Sequence, residues 1–169
     1  MERAPRFVFA SDSLKGTLSS ADTARLLGVA AERRFPGCSW TAIPMADGGE
    51  GTADALLAAC GGEKIRTVAS DPLGRSVEAV YALLPGGRAV IEMAAASGLP
   101  LLAPEERDPL ATSTCGTGQL VLDALSRGAR DVTVALGGSA TNDGGMGLAR
   151  ALGARLLDEN GRELAGCGA

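Results

Sequence analysis

Apolar residues along this chain come in short runs that break off at glycine-rich, polar segments. RFVFA (Arg6–Ala10) is a compact run of the kind a buried strand leaves in a sequence. SDSLKGTLSS follows as a loop, and Ser19 or Ser20 is placed to cap a helix over Ala21–Phe35, whose Ala24, Leu27 and Ala31 share one face. Pro36-Gly37 stops that helix. WTAIPM (Trp40–Met45) reads as a second strand, with Pro44 setting its end near an edge or a terminus. ADGGEGT then leads into a helix over Ala53–Ala59, closed by Gly61-Gly62. Strand, loop and helix, twice in succession, is the pattern of βαβ units on a parallel sheet.

The rhythm changes near Glu63. Lys64–Ala69, a turn at Asp71–Gly74, the partly alternating Val77–Leu84, a Gly86-Gly87 turn and Arg88–Met93 predict antiparallel pairing. A second layer or domain therefore starts there, dividing the chain into residues 1–62 and 63–169. Ala94–Thr114 shows little periodicity and holds Pro100, Pro104 and Pro109, so it is expected to wrap the surface or line a cleft. Gly116–Ser126 reads as a helix. DVTVAL (Asp131–Leu136), β-branched and bounded, reads as a strand that runs into GGSATNDGGMG and then a helix over Gly145–Leu152. A hairpin around Glu159-Asn160-Gly161 is expected next. The closing AGCGA matches neither a helix nor a strand terminus, so the second unit is expected to be truncated.

Composition narrows the chemistry. With 46% hydrophobic residues the chain has enough apolar mass for a core, and its net charge of −4 gives no general attraction to nucleic acid or to anionic membranes. The five aromatics are too scattered for a base-stacking platform, and no apolar run is long enough to span a bilayer. The N-terminus lacks signal-peptide architecture, which points to the cytoplasm. Histidine is absent and the four cysteines form no CxxC pair, which removes Ser-His-Asp triads and most zinc sites. Acid–base and metal chemistry must then rest on Asp, Glu and Lys, a set that suits a hard cation such as Mg²⁺.

The 24 glycines cluster where strand-like runs end. In Gly137–Gly147 a strand feeds a glycine-rich turn that opens a helix. That geometry aims backbone N–H groups and the positive end of the helix dipole at an anion. Gly137, Gly138, Ser139, Thr141 and Asn142 are the binding candidates, and Asp143 becomes sensible beside a cation. Met45–Thr52 repeats the construction: Asp47 and Glu50 flank Gly48-Gly49, with Gly51 and Thr52 following. These acids can hold Mg²⁺ or orient a substrate hydroxyl. In Ser11–Ser19, Asp12 and Ser13 precede Lys15, which can contact a transferred phosphoryl group. Gly116-Thr117-Gly118 lacks a third glycine and reads as a helix start, and no Walker A frame surrounds Lys15. In a parallel sheet such loops lie together at the carboxyl edge, and their inventory fits phosphoryl transfer.

At these residues the chain resembles the bacterial glycerate kinase family of the first type. Asp12–Ser19, Pro44–Thr52, Ala89–Leu99, Thr114–Gly118 and Leu136–Gly147 carry the resemblance in order, with Leu14 in place of a commoner aromatic. The resemblance implies two α/β domains, one Rossmann- or flavodoxin-like, with a cleft between them. It implies ATP-dependent phosphorylation of D-glycerate, with Lys15 and Asp47 catalytic and Glu50 and Asp143 assisting with Mg²⁺. Family members are much longer than this chain, so activity of the 169 residues alone is not implied. The competing reading is a non-catalytic nucleotide- or phospho-ligand-binding domain, and a homo-oligomer is left open.

Overall fold

The computed structural model describes residues 4–14, 16–164 and 167–168. It contains two sheets. In the first, β1 (Arg6–Phe9) and β2 (Ser39–Ala42) run parallel, joined by α1 (Ser20–Arg34), with Phe7 opposite Trp40. β2 ends ahead of Pro44, which has no N–H to continue a ladder. Ser19 is the helix cap, its Oγ accepting the Asp22 N–H at 3.0 Å. Gly28 of α1 lies against the Trp40 ring, where a side chain would collide with the indole. Phe7 packs on Phe35 and Phe9 on Trp40, with ring centroids 5.4 and 6.2 Å apart. The opposite face of this small sheet is open, and Val8 is 64% exposed.

The second sheet has the order β3-β4-β5-β6, built from β3 (Glu63–Ser70), β4 (Ser76–Leu84), β5 (Arg88–Glu92) and β6 (Asp131–Ala135). The first three are antiparallel, as the Gly-rich turns predict, and β6 adds parallel to β5. Both faces of β5 are covered, which is why RAVIE reads as a continuous apolar run rather than an alternation. Ala89 and Ile91 face α4 (Cys115–Ser126), whose Leu120 and Ala124 are fully buried. Val90, with Ala82 and Leu84 of β4, faces Ala53, Leu56 and Leu57 of α2 (Thr52–Cys60). The helix assigned by sequence to residues 1–62 thus packs on the sheet of residues 63–169. The fold is mixed α/β with parallel pairing in each sheet.

The segment 94–114 is not a passive wrap. It folds into α3 (Ala94–Ser97) and two 3₁₀ turns, Leu99–Leu101 and Pro104–Glu106, and buries Ala96, Leu102 and Thr112. Arg75 clamps it: its Nε donates to Asp71 Oδ2 at 2.6 Å and its Nη1 to Glu106 Oε1 at 2.6 Å. After β6 comes α5 (Met146–Ala151), then a tight turn closed by an Asp158 N–H to Arg162 O bond of 2.8 Å. Among the described residues no helix is long and apolar enough to cross a membrane.

Candidate active site

Loops leave the carboxyl ends of β1, β2 and β6, and the structure brings them together in series. Ser20 joins the first two: its hydroxyl donates to Ser11 O at 2.8 Å and accepts the Met45 N–H at 3.0 Å. The second and third meet backbone to backbone. A Cβ on Gly137 would lie 2.7 Å from Gly49 Cα, so the approach requires glycine. Asp12 is exposed, and its Oδ1 accepts the Ser13 N–H at 2.7 Å. Lys15 lies outside the described residues.

The loop Met45–Thr52 is braced from within. Asp47 is exposed and its Oδ1 accepts the Gly49 N–H at 3.0 Å, while the Thr52 hydroxyl donates to Gly49 O at 2.8 Å. α2 starts from Gly51, whose φ of 89° lies in the left-handed region and which has no side chain to cap the helix. Glu50 is exposed and lines a cavity of about 750 Å³ between the loop after β1, α2 and the face of β4. Ser13, Ser20 and Glu92 also line it, whereas Asp47 and residues 137–142 do not. The cavity floor is largely apolar helix and sheet. The polar groups suited to phosphoryl chemistry gather at the strand ends beside it.

The loop Gly137–Asn142 is held by the segment that follows β5. Leu99 N–H donates to Gly138 O at 2.9 Å, Ala140 N–H to Ser97 O at 2.9 Å, and the buried Thr112 hydroxyl to Ala140 O at 2.8 Å. Ser139 and Thr141 share a hydroxyl–hydroxyl bond of 2.9 Å, and Ser139 Oγ also accepts the Thr141 N–H. Asn142 stays exposed.

Asp143 differs from what its sequence context predicts. The same Asp-Gly-Gly triplet occurs at 47–49 and 143–145, yet Asp143 is only 2% exposed. Its carboxylate accepts the N–H of Thr114 at 2.7 Å, of Gly145 at 3.0 Å and of Gly147 at 3.0 Å, and the Thr114 hydroxyl at 2.8 Å. Burial alone raises this carboxyl, but the Thr114, Gly145 and Gly147 donors outweigh it and hold it below the ordinary value. The Thr114 hydroxyl in turn accepts the Leu148 N–H at 2.9 Å. Asp143 therefore ties the first turns of α4 and α5 together. With both oxygens engaged by protein donors, it does not offer the open coordination position expected of a metal ligand. Among the described residues no three Asp, Glu, His or Cys side chains cluster to hold a metal.

Three contributors were missed by sequence reasoning. The sequence marks Ser20 only as a cap, and Thr114 only as the end of a loop and the start of a segment that carries the resemblance, with no role for its side chain. Glu92, at the end of β5, was hidden in an apolar run, although a carboxylate closing such a run is itself a signal. Its Oε1 accepts the Ala53 N–H at 2.9 Å.

Comparison with known proteins supplies the remaining context. The family profile described as the glycerate kinase family matches residues 7–169. The chain is 46% identical over 160 residues to a glycerate 2-kinase of Escherichia coli (strain K12), covering 94% of this chain and 42% of that protein. It is equally similar, over the same length and coverage, to a glycerate kinase of Bacillus subtilis (strain 168). A crystal structure of a putative glycerate kinase 2 from Salmonella typhimurium LT2 superposes with a TM-score of 0.78 at 43% identity, covering 96% of this chain and 44% of that one. The chain thus spans less than half the length of these relatives.

Proposed function

Because this chain belongs to the glycerate kinase family, we propose that it forms one wall of an enzyme that transfers the γ-phosphoryl group of ATP to a hydroxyl of D-glycerate. In that reaction the hydroxyl oxygen bonds to the γ-phosphorus and its proton leaves. The bond from the γ-phosphorus to the bridging oxygen breaks, releasing ADP and a phosphoglycerate. Catalysis of this kind is positioning and charge neutralisation more than covalent chemistry. The observation that carries the reading is the convergence of three strand-end loops, with Gly49 against Gly137.

Asp47 orients or deprotonates the glycerate hydroxyl; it is an exposed carboxylate whose aim is set by the Gly49 N–H. Lys15 neutralises charge on the transferring group. Backbone N–H groups of Gly137–Asn142 bind a phosphate or the glycerate carboxylate, and Asp12, Ser13, Gly48, Gly49, Gly51 and Thr52 line the remaining approach. Bound with the phosphates, Mg²⁺ would shield their charge. Such an ion needs only one or two carboxylates besides phosphate oxygens and water. Glu50, exposed on the cavity wall, suits that part, and Asp143 is better read as an internal tie. The unit border is drawn ahead of α2 rather than at 62/63, because α2 packs on β4 and β5. A cytoplasmic setting, where ATP and Mg²⁺ are supplied, belongs to the same proposal.

The test is ADP release from ATP with and without D-glycerate. It uses this chain and a chimera in which residues 7–164 replace the matching part of a full-length relative. Glycerate-dependent release by the chimera, lost by about 10²-fold or more in Asp47→Asn, is the expected result. ATP binding without any glycerate-dependent release would instead favour the non-catalytic binding domain.

A further inference from the structure

The sequence of β5 ends in a carboxylate at a half-buried position, and strand alternation decides where it points. Ala89 and Ile91 face α4, and Val90 faces α2. Glu92 has the parity of Val90, so it leaves the sheet on the α2 side, at the carboxyl end of the parallel pair with β6, where it is opposite Ala135. There it meets the first turn of α2. A helix begins with N–H groups that have no partner inside the helix, and a side chain at the cap position normally serves one of them. Gly51 occupies that position and has no such side chain. The Ala53 N–H is instead taken by Glu92 Oε1, 39 residues away in sequence, at 2.9 Å.

This bond has a consequence for the loop ahead of the helix. The braces inside Met45–Thr52 are local: Gly49 N–H to Asp47, and the Thr52 hydroxyl to Gly49 O. They fix the shape of the loop but do not fix its height over the sheet. Glu92 ties the end of the loop to β5, and β5 is paired with β6, the strand that delivers Gly137. One rigid path thus runs from Gly137 through β6, β5, Glu92 and Ala53 back to Gly49, whose backbone abuts Gly137. Asp47 is attached to that closed circuit through its bond with the Gly49 N–H.

We propose that Glu92 is a positioning residue: its carboxylate fixes the α2 N-terminus and thereby sets Asp47 in register with the Gly137–Asn142 loop. The inference rests on the phosphoryl-transfer reading for its catalytic half, and on geometry alone for its structural half. What matters is the acceptor oxygen, so an amide at this position keeps the tie whereas a methyl group removes it.

Two measurements test this. Amide hydrogen exchange in the 169-residue chain reads the tie directly: Glu92→Ala should speed exchange at Ala53 by about tenfold or more, and Glu92→Gln should not. Steady-state kinetics on the chimera reads its consequence. Glu92→Ala should lower kcat by about 10- to 100-fold, as expected for a misplaced catalytic group, while KM for each substrate stays within about threefold. Glu92→Gln should restore most of that kcat. Unchanged Ala53 exchange in Glu92→Ala would overturn the structural half. A Glu92→Ala kcat within twofold of the parent, or a Glu92→Gln enzyme as slow as Glu92→Ala, would overturn the positioning role; the last would show that the charge itself acts. If the unsubstituted chimera shows no glycerate-dependent turnover, the proposed function fails and the catalytic half fails with it, while the exchange result still decides the tie.

Discussion

Replacing Asp143 by alanine removes one acceptor from five donors: the N–H groups of Thr114, Gly145 and Gly147 and the hydroxyls of Thr114 and Ser113. The donors do not suffer equally. Gly145 is half-buried and adjoins the exposed Gly144, so its amide regains water, whereas the buried Thr114 hydroxyl keeps the Leu148 N–H and loses the acceptor for its own proton. The amides of Thr114 and Gly147 belong to buried residues and stay dry. A buried donor left without a partner costs about 1–3 kcal/mol, so these two amides together predict a loss of about 2–6 kcal/mol. For a chain of this size that corresponds to a fall in Tm of roughly 10 °C. Asp143→Asn should lose nearly as much, because its NH₂ group then faces N–H donors. The sign of the pH effect follows from the depressed carboxyl. Its stabilisation is complete above the ordinary value of 3.8 and is lost as pH falls through the lower folded value. The gap between parent and Asp143→Asn should therefore be widest near neutrality and narrow below about pH 4. Urea titrations followed by far-UV circular dichroism at pH 7 and pH 3.5 measure both quantities. An Asp143→Ala protein within 1 kcal/mol of the parent at pH 7, or a gap that grows in acid, would refute the account.

Gly137→Ala places a methyl group 2.7 Å from Gly49 Cα, a backbone atom that cannot rotate away. It should cut kcat/KM of the chimera by more than about tenfold while shifting Tm by only a few degrees, and near-parental kinetics would argue against a joined site. Tyr81→Phe removes the bond from a hydroxyl of a residue 1% exposed to Asp123 Oδ2 at 2.9 Å. Thermal denaturation should show a loss of about 1–2 kcal/mol, as for a hydrogen bond to a charged group with part of its cost recovered by Arg127.

Much of the fold was legible because glycine punctuates it. Each apolar run that ends in Gly-rich polar sequence became a strand followed by a loop, and the Gly86-Gly87 turn gave the β4–β5 hairpin. Local signals also served Ser19, a cap whose partner lies three residues on. What stayed hidden depended on distant partners. Asp47 and Asp143 share the same triplet, and nothing within it says that Thr114, 29 residues upstream, waits for one and not the other. The apolar face of α2 is visible in Ala53, Leu56 and Leu57, but which sheet it covers is a tertiary fact. The parity of Glu92 acquires meaning only once that helix has docked. The segment 94–114 escaped because short 3₁₀ turns leave no periodicity to detect.

The chain holds one tryptophan and one tyrosine, and they lie on different sheets. Trp40 sits among Phe9 and Gly28 in the β1–α1–β2 unit, whereas Tyr81 is sealed between β4 and α4. Nature has thereby labelled each half with its own chromophore. Indole emission follows the first unit and phenol absorbance the second. Whether the halves melt as one body or in sequence is thus written into the intrinsic spectra, with no label to attach.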